Sequence, residues 1–107
     1  MIDRMGKTKE LDAKIKNKIT YEIKDDLYKL LLLSSSESAN YKNDIDYIIV
    51  LEDKCNLFDI LKLISMIGVK LTKEFGIFVS IYPILKKDYL AGNTMFIQNV
   101  IQYGQEL

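Results

Sequence analysis

The sequence contains no histidine. That absence removes the Ser-His-Asp and Cys-His nucleophile systems and the HExxH zinc site. Cysteine is almost as scarce: Cys55 stands alone, which excludes an intrachain disulfide and a zinc cage built from thiolates. A metal held by this chain must bind through oxygen, which favours Mg²⁺, Mn²⁺ or Ca²⁺. Long apolar runs are missing too. The longest, Tyr47 to Leu51, falls far short of the roughly 18 residues that span a bilayer. Met1-Ile2-Asp3-Arg4 carries no apolar signal segment. With the lone thiol, this predicts a cytoplasmic location and no membrane partner. Pro83 is the only proline, and neither a Pro/Gly-rich linker nor an internal repeat is visible.

What is present suits one globular domain over residues 1–107. Apolar residues make up 49% and charged residues 28%, enough to bury a single core at this length. Lys plus Arg and Asp plus Glu are 15 each, but unevenly placed. Residues 1–24 carry seven cations and four anions, and the remainder eight and eleven. A solvated helix face accounts for that excess. It is weaker than the basic footprint of a nucleic-acid binder, so nucleic acid is not an expected partner.

Hydrophobic periodicity predicts the order α-β-β-α-β-α. Leu11, Ile15, Ile19 and Ile23 recur at i, i+4 within Lys7 to Lys24, the stripe of an amphipathic helix. Leu27 to Leu33 reads as a buried strand. The serine-rich stretch Ser34 to Asn40 reads as a loop, and Asp44 to Leu51, rich in β-branched and aromatic residues, as the clearest strand. Asn56 or Asp59 can cap a helix from Leu57 to about Glu74. Gly76 opens a strand over Ile77 to Ile84 that Pro83 and Lys86-Lys87 end. A short helical turn and a helix near Thr94 to Tyr103 follow, with Gly104 as its stop. Met66 and Met95 read as core fillers, and Cys55 has no assigned role. The expected fold class is α/β (α+β): a small mixed β-sheet covered by helices.

The chemistry lies in Asp44-Ile45-Asp46, at the start of the clearest strand. Side chains two apart on a strand point to one face, so two carboxylates are aimed together. Unit charges 4 Å apart at an effective dielectric near 20 repel by about 4 kcal/mol, and a divalent cation relieves that. The bland alternative is a pair of acids at a strand end, both in water.

The surroundings sharpen the pattern. Leu30-Leu31-Leu32-Leu33-Ser34-Ser35 precedes Asp44-Ile45-Asp46-Tyr47-Ile48-Ile49-Val50, and the tail reads Phe96-Ile97-Gln98-Asn99-Val100 through Tyr103-Gly104-Gln105-Glu106-Leu107. This resembles the minimal nucleotidyltransferases of the polymerase-β-like superfamily: an apolar strand, Gly-Ser, a spacer, Asp-x-Asp, and a closing F-x-x-N-V-x-x-x-G-x-x-L. The resemblance runs from about Leu11 to Leu107. It implies the nucleotidyltransferase (polymerase-β palm-like) fold. It also implies Mg²⁺ (or Mn²⁺) held by Asp44 and Asp46, and ATP or another nucleoside triphosphate whose phosphates Ser34 and Ser35 would hold. A HEPN-domain protein is the implied partner, as in toxin–antitoxin pairs, with AMP transfer to that partner as the implied reaction. Nucleotidyl transfer relies on charge neutralisation and in-line positioning, so the lack of His and Cys does not count against it.

Two positions depart from the family pattern. Ser34 stands where the family has Gly, a residue used where backbone must approach a ligand closely. With the register slipped by one, Ser35 and Ser36 take the Gly and Ser places, and no glycine is restored. The family's third carboxylate sits on a later strand, but Phe75 to Tyr82 contains no Asp or Glu, and Ser80 occupies about that place. Glu74 and Asp88 flank the strand. Two readings follow: an active transferase, or a catalytically degenerate nucleotidyltransferase fold that only binds and neutralises its partner. A chain of this length needs a partner or a homo-oligomer to supply an acceptor surface under either reading.

Overall fold

A computed structural model describes residues 4–33 and 44–107. The serine-rich stretch falls outside them. Helix α1 runs Arg4–Ile23, and its stripe of Leu11, Ile15, Ile19 and Ile23 is buried. A 3-10 turn, Lys24–Asp26, follows, with Lys24 in the left-handed region at φ 53°. It leads into strand β1, Leu27–Leu33, which pairs antiparallel with strand β2, Asp44–Leu51.

Helix α2 spans Leu57–Phe75. Of the two expected caps, Asn56 is the one used: its side chain accepts a hydrogen bond from the Asp59 N–H at 3.2 Å. Gly76, at φ 67°, ends the helix in a conformation that side chains disfavour. The crossover through α2 lets strand β3, Phe78–Leu85, pair parallel with β2. Helix α3 covers Lys86–Ala91. Helix α4 covers Met95–Tyr103, opened by Thr94, whose hydroxyl oxygen accepts from the Ile97 N–H. Strand β4, Gly104–Glu106, returns antiparallel to β1. The sheet is mixed, ordered β3-β2-β1-β4, as the α/β (α+β) reading expects.

Helices pack on both faces. Beneath α1 and α2 lies the larger core, where Tyr47, Ile49 and Leu51 of β2 meet Leu11, Ile15 and Ile19 of α1 and Ile64 and Leu71 of α2. On the other face Leu31, Ile48, Val50 and Ile84 pack with Ile97 and Val100 of α4. Alternation along β2 supplies both sets. Tyr47 is fully buried and donates its hydroxyl to Asp12 of α1, tying helix to sheet.

Three sequence expectations change. Pro83 lies inside β3 rather than ending it, because among the described residues β3 is an edge strand paired with β2 alone. Gly104 stops α4 as expected, but in extended backbone rather than a left-handed cap, and it starts β4, a strand the sequence pattern does not announce. A Cβ there would lie 2.5 Å from the Val100 carbonyl oxygen, so only glycine fits. Met66 and Met95 are not core fillers: they are 69% and 81% exposed, because their helical positions point away from the sheet.

The open side of β3 is itself covered in part. The Val79 N–H donates to the Thr72 hydroxyl of α2 at 2.9 Å. A Cβ on Gly68 of the same helix would lie 3.3 Å from the Val79 carbonyl oxygen. Backbone groups alternate sides along a strand, so Ile81 and Pro83 share this outward set with Val79. Proline has no N–H to offer there.

Candidate functional site

Tyr47, Ile49 and Leu51 point into the α1/α2 core, so the alternate residues of β2 face α4. Asp44 and Asp46 lead that second set, ahead of Ile48 and Val50. Two residues of strand advance place their Cα atoms about 6–7 Å apart on one face. Asp44 is exposed and Asp46 half-buried. Asp46 stands between Leu33 of β1 and Ser80 of β3, and Asp44 stands beside Phe78. Burial pushes the Asp46 carboxyl above the usual carboxylate range, and the charge of Asp44 adds to the rise.

Ser80 therefore occupies the β3 position level with Asp46. Neither flanking acid reaches this level. Glu74 is paired with Lys14, at the α1/α2 groove on the opposite face. Asp88 follows the end of β3, whose last residue, Leu85, is level with Leu51. Five residues of strand, about 17 Å, separate that level from Asp46. Among the described residues no group of three acids or thiols converges on a metal position. Ser34 and Ser35 lie outside the described residues. Among the described residues, the predicted site consists of the two aspartates, which the structure brings together.

Two carboxylates are nevertheless a fitting donor set for Mg²⁺. That ion is commonly held by one or two carboxylates and completes its shell with water and phosphate oxygens. Burial is the larger cause of the raised Asp46 pKa and the Asp44 charge the smaller, and a divalent cation would reverse that repulsion. Mn²⁺ suits the same oxygen ligands. Chemically, the pair can anchor a metal-bound phosphate, but it offers no third acid to accept a proton.

The aromatic and basic side chains around the sheet separate by contact. Phe78, Ser80 and Tyr82 alternate onto the aspartate face. Tyr82 meets Phe96 of α4 edge-on, ring centroids 6.1 Å apart, a contact that no sequence spacing announces. Tyr89 packs edge-on against Tyr28 at 6.5 Å, and Tyr103 is partly exposed at the end of α4. Lys86 reaches Glu52 and lies over the Tyr28 ring, and the Lys87 N–H donates to Asp53. Both belong to the strand-to-helix turn. Burial, with the charges of Asp26 and Asp53, pushes the Cys55 thiol up, the opposite of what a nucleophile requires. No helix among the described residues is long and apolar enough to cross a membrane. A scan of family models, a search of curated proteins and a search of solved structures find no match to this chain.

Proposed function

We propose that this chain is a minimal nucleotidyltransferase-type protein that binds a Mg²⁺-nucleotide at Asp44 and Asp46 and acts as the antitoxin-type partner of a HEPN-domain protein. The observation that carries the reading is the placement of Asp44 and Asp46 side by side on the α4 face of β2, with Asp46 half-buried and its carboxyl pKa raised by burial and by its neighbour. Two like charges held this way destabilise the metal-free protein, and Mg²⁺ carrying a triphosphate turns that repulsion into attraction. Ser80, level with Asp46 where a third acid would stand, favours binding and neutralisation over transfer. Loss of a general base costs about 10²- to 10⁴-fold in rate.

The second reading is transfer of AMP to the partner protein. It rests on the same two aspartates, which would hold the metal-bound phosphates that transfer requires. Calorimetric titration with Mg²⁺-ATP tests the shared core of both readings. Wild type binds, and the double variant Asp44→Asn/Asp46→Asn does not. Absence of binding by wild type at saturating Mg²⁺ removes both. Intact mass of a co-expressed HEPN partner then separates them: a gain of one AMP marks transfer, and a tight complex of unmodified mass marks neutralisation.

A further inference from the structure

We infer that two copies of this chain pair through the outer flank of α2, antiparallel about a two-fold axis at Ser65. Helix α2 carries two apolar stripes. Ile60, Ile64, Ile67, Leu71 and Phe75 are buried toward the sheet. Phe58, Leu61, Ser65, Val69 and Thr72 recur at three- and four-residue spacing and form a second stripe ~120° around the helix. No charged residue lies within it; Asp59, Lys62 and Lys73 border it on one side. This stripe is open: Phe58 is 72% and Val69 57% exposed. Beside it runs a groove of about 520 Å³ between α2 and the edge of β3, where Phe78 and Tyr82 are also exposed. The two hydroxyls of the stripe are already engaged within the chain. Ser65 donates to the Leu61 carbonyl at 2.9 Å, and the Thr72 hydroxyl accepts from the Val79 N–H. Covering them therefore costs less than covering free hydroxyls.

Shape selects a second copy as the occupant. Leu61 lies four residues before Ser65 and Val69 four after; Phe58 lies seven before and Thr72 seven after. Antiparallel pairing therefore sets Phe58 of one copy against Thr72 of the other, Leu61 against Val69, and Ser65 against itself. Each larger side chain meets a smaller one, as interdigitating helices require. The smallest pair sits at the crossing, where the axes come closest. One surface serves both copies, as a two-fold interface demands. Area agrees. At about 150–250 Å² for each fully open aromatic side chain, Phe58, Phe78 and Tyr82 with Leu61 and Val69 offer on the order of 500 Å² per copy. Two copies then bury on the order of 1,000 Å², the threshold of a specific interface. The bordering charges do not oppose it. Lys73 of one copy comes within about 3 Å, along the axis, of the level of Asp59 of the other, while Lys62 of the other copy is about 7–8 Å away. The two Lys62 residues lie about 9 Å apart along the axis, near one Debye length at physiological salt. Asp44 and Asp46 stand on the α4 face of the sheet, so this inference does not depend on nucleotide binding.

Sedimentation equilibrium of the full chain, from about 5 μM to about 1 mM, tests it. A monomer–dimer equilibrium with a Kd of about 1–100 μM is expected of an interface this small. Val69→Glu sets a carboxylate against Leu61 of the other copy and weakens the dimer at least about tenfold. Met66→Glu, on the side of α2 that faces α1, and Asp44→Asn/Asp46→Asn leave it unchanged. Both helix positions are exposed, and circular dichroism confirms that the variants are folded. The register is tested separately, with Cys55→Ser as background. Ser65→Cys forms a disulfide between two chains under diamide, because the two copies of this position face each other. Lys62→Cys, its copies about 9 Å apart along the axis, does not. The inference is overturned by a chain that stays monomeric to about 1 mM, by a dimer that Val69→Glu leaves intact, or by crosslinking of Lys62→Cys as fast as of Ser65→Cys. A mass that keeps growing beyond the dimer with concentration also overturns it, since a two-fold interface closes.

Discussion

Strand β2 belongs to two different environments. Toward α1 and α2 it contributes Tyr47, Ile49 and Leu51, all fully buried, and the polar end of Tyr47 is satisfied by Asp12. Toward α4 it contributes Ile48 and Val50, then Asp46 and Asp44, where cover runs out. The first face is a core with a helix pinned onto it. The second is a smaller core that grades into an open, charged and aromatic surface. One period-2 alternation therefore supplies a closed core on one side and a half-open pair of carboxylates on the other. The carboxylates can be held without burying them fully because their strand is anchored through its opposite face.

The largest test of that contrast compares two truncations. Burial free energy and cavity cost make Ile49→Ala and Ile97→Ala each destabilising, within about 2–5 kcal/mol. Ile49 is fully enclosed in the larger core and falls in the upper part of that range, while Ile97, at the rim of the smaller one, falls in the lower part. Chemical denaturation of both variants measures the gap, and equal losses would break the comparison. Gly104→Ala comes next. Its Cβ collides with the Val100 carbonyl oxygen, and the strain of such overpacking costs about 1–3 kcal/mol. The loss should appear in hydrogen exchange as earlier opening of β4 and α4, with α1 and α2 unaffected.

Tyr47→Phe sharpens the first face. It removes the hydroxyl donor and leaves Asp12 half-buried without it, a loss of about 1–3 kcal/mol. Thermal melts should show that loss without any change in secondary structure. The smallest effect belongs to the second face. The folded-state pKa of Asp46 lies above its unfolded value, so the folded state holds the proton more tightly. Stability is therefore lost as pH rises from the unfolded pKa through the raised folded one. Asp46→Asn should melt above wild type at neutral pH in EDTA, and the difference should close as the pH falls below that window. A wild type that melts above the variant throughout would contradict the electrostatic account of the site.

Much of the fold is legible in the sequence because its signals are periodic. The i, i+4 stripe of α1, the β-branched run of β2 and the Asn56 cap of α2 each state a local preference that packing does not override. The pairing of Asp44 with Asp46 is legible for the same reason, since strand alternation alone aims them together. What the sequence withholds is tertiary. Strand β4 is three residues long and exists only because β1 is there to receive it. Met66 and Met95 have core chemistry at surface positions, and only the placement of the helices decides between the two. The level shared by Ser80 and Asp46 depends on the register of a parallel pair, which no local pattern encodes and to which only the family resemblance pointed.

The cover over β3 has a consequence for how this protein lives at high concentration. Its eight residues, Phe78 to Leu85, carry no charge, which is the composition of a strand that recruits copies of itself. The Thr72 hydroxyl occupies one outward donor, Gly68 brings α2 close over the Val79 carbonyl, and Pro83 withholds another donor. A would-be neighbouring strand finds a ladder with missing rungs. The cover thereby works against the endless backbone pairing that ends in fibres.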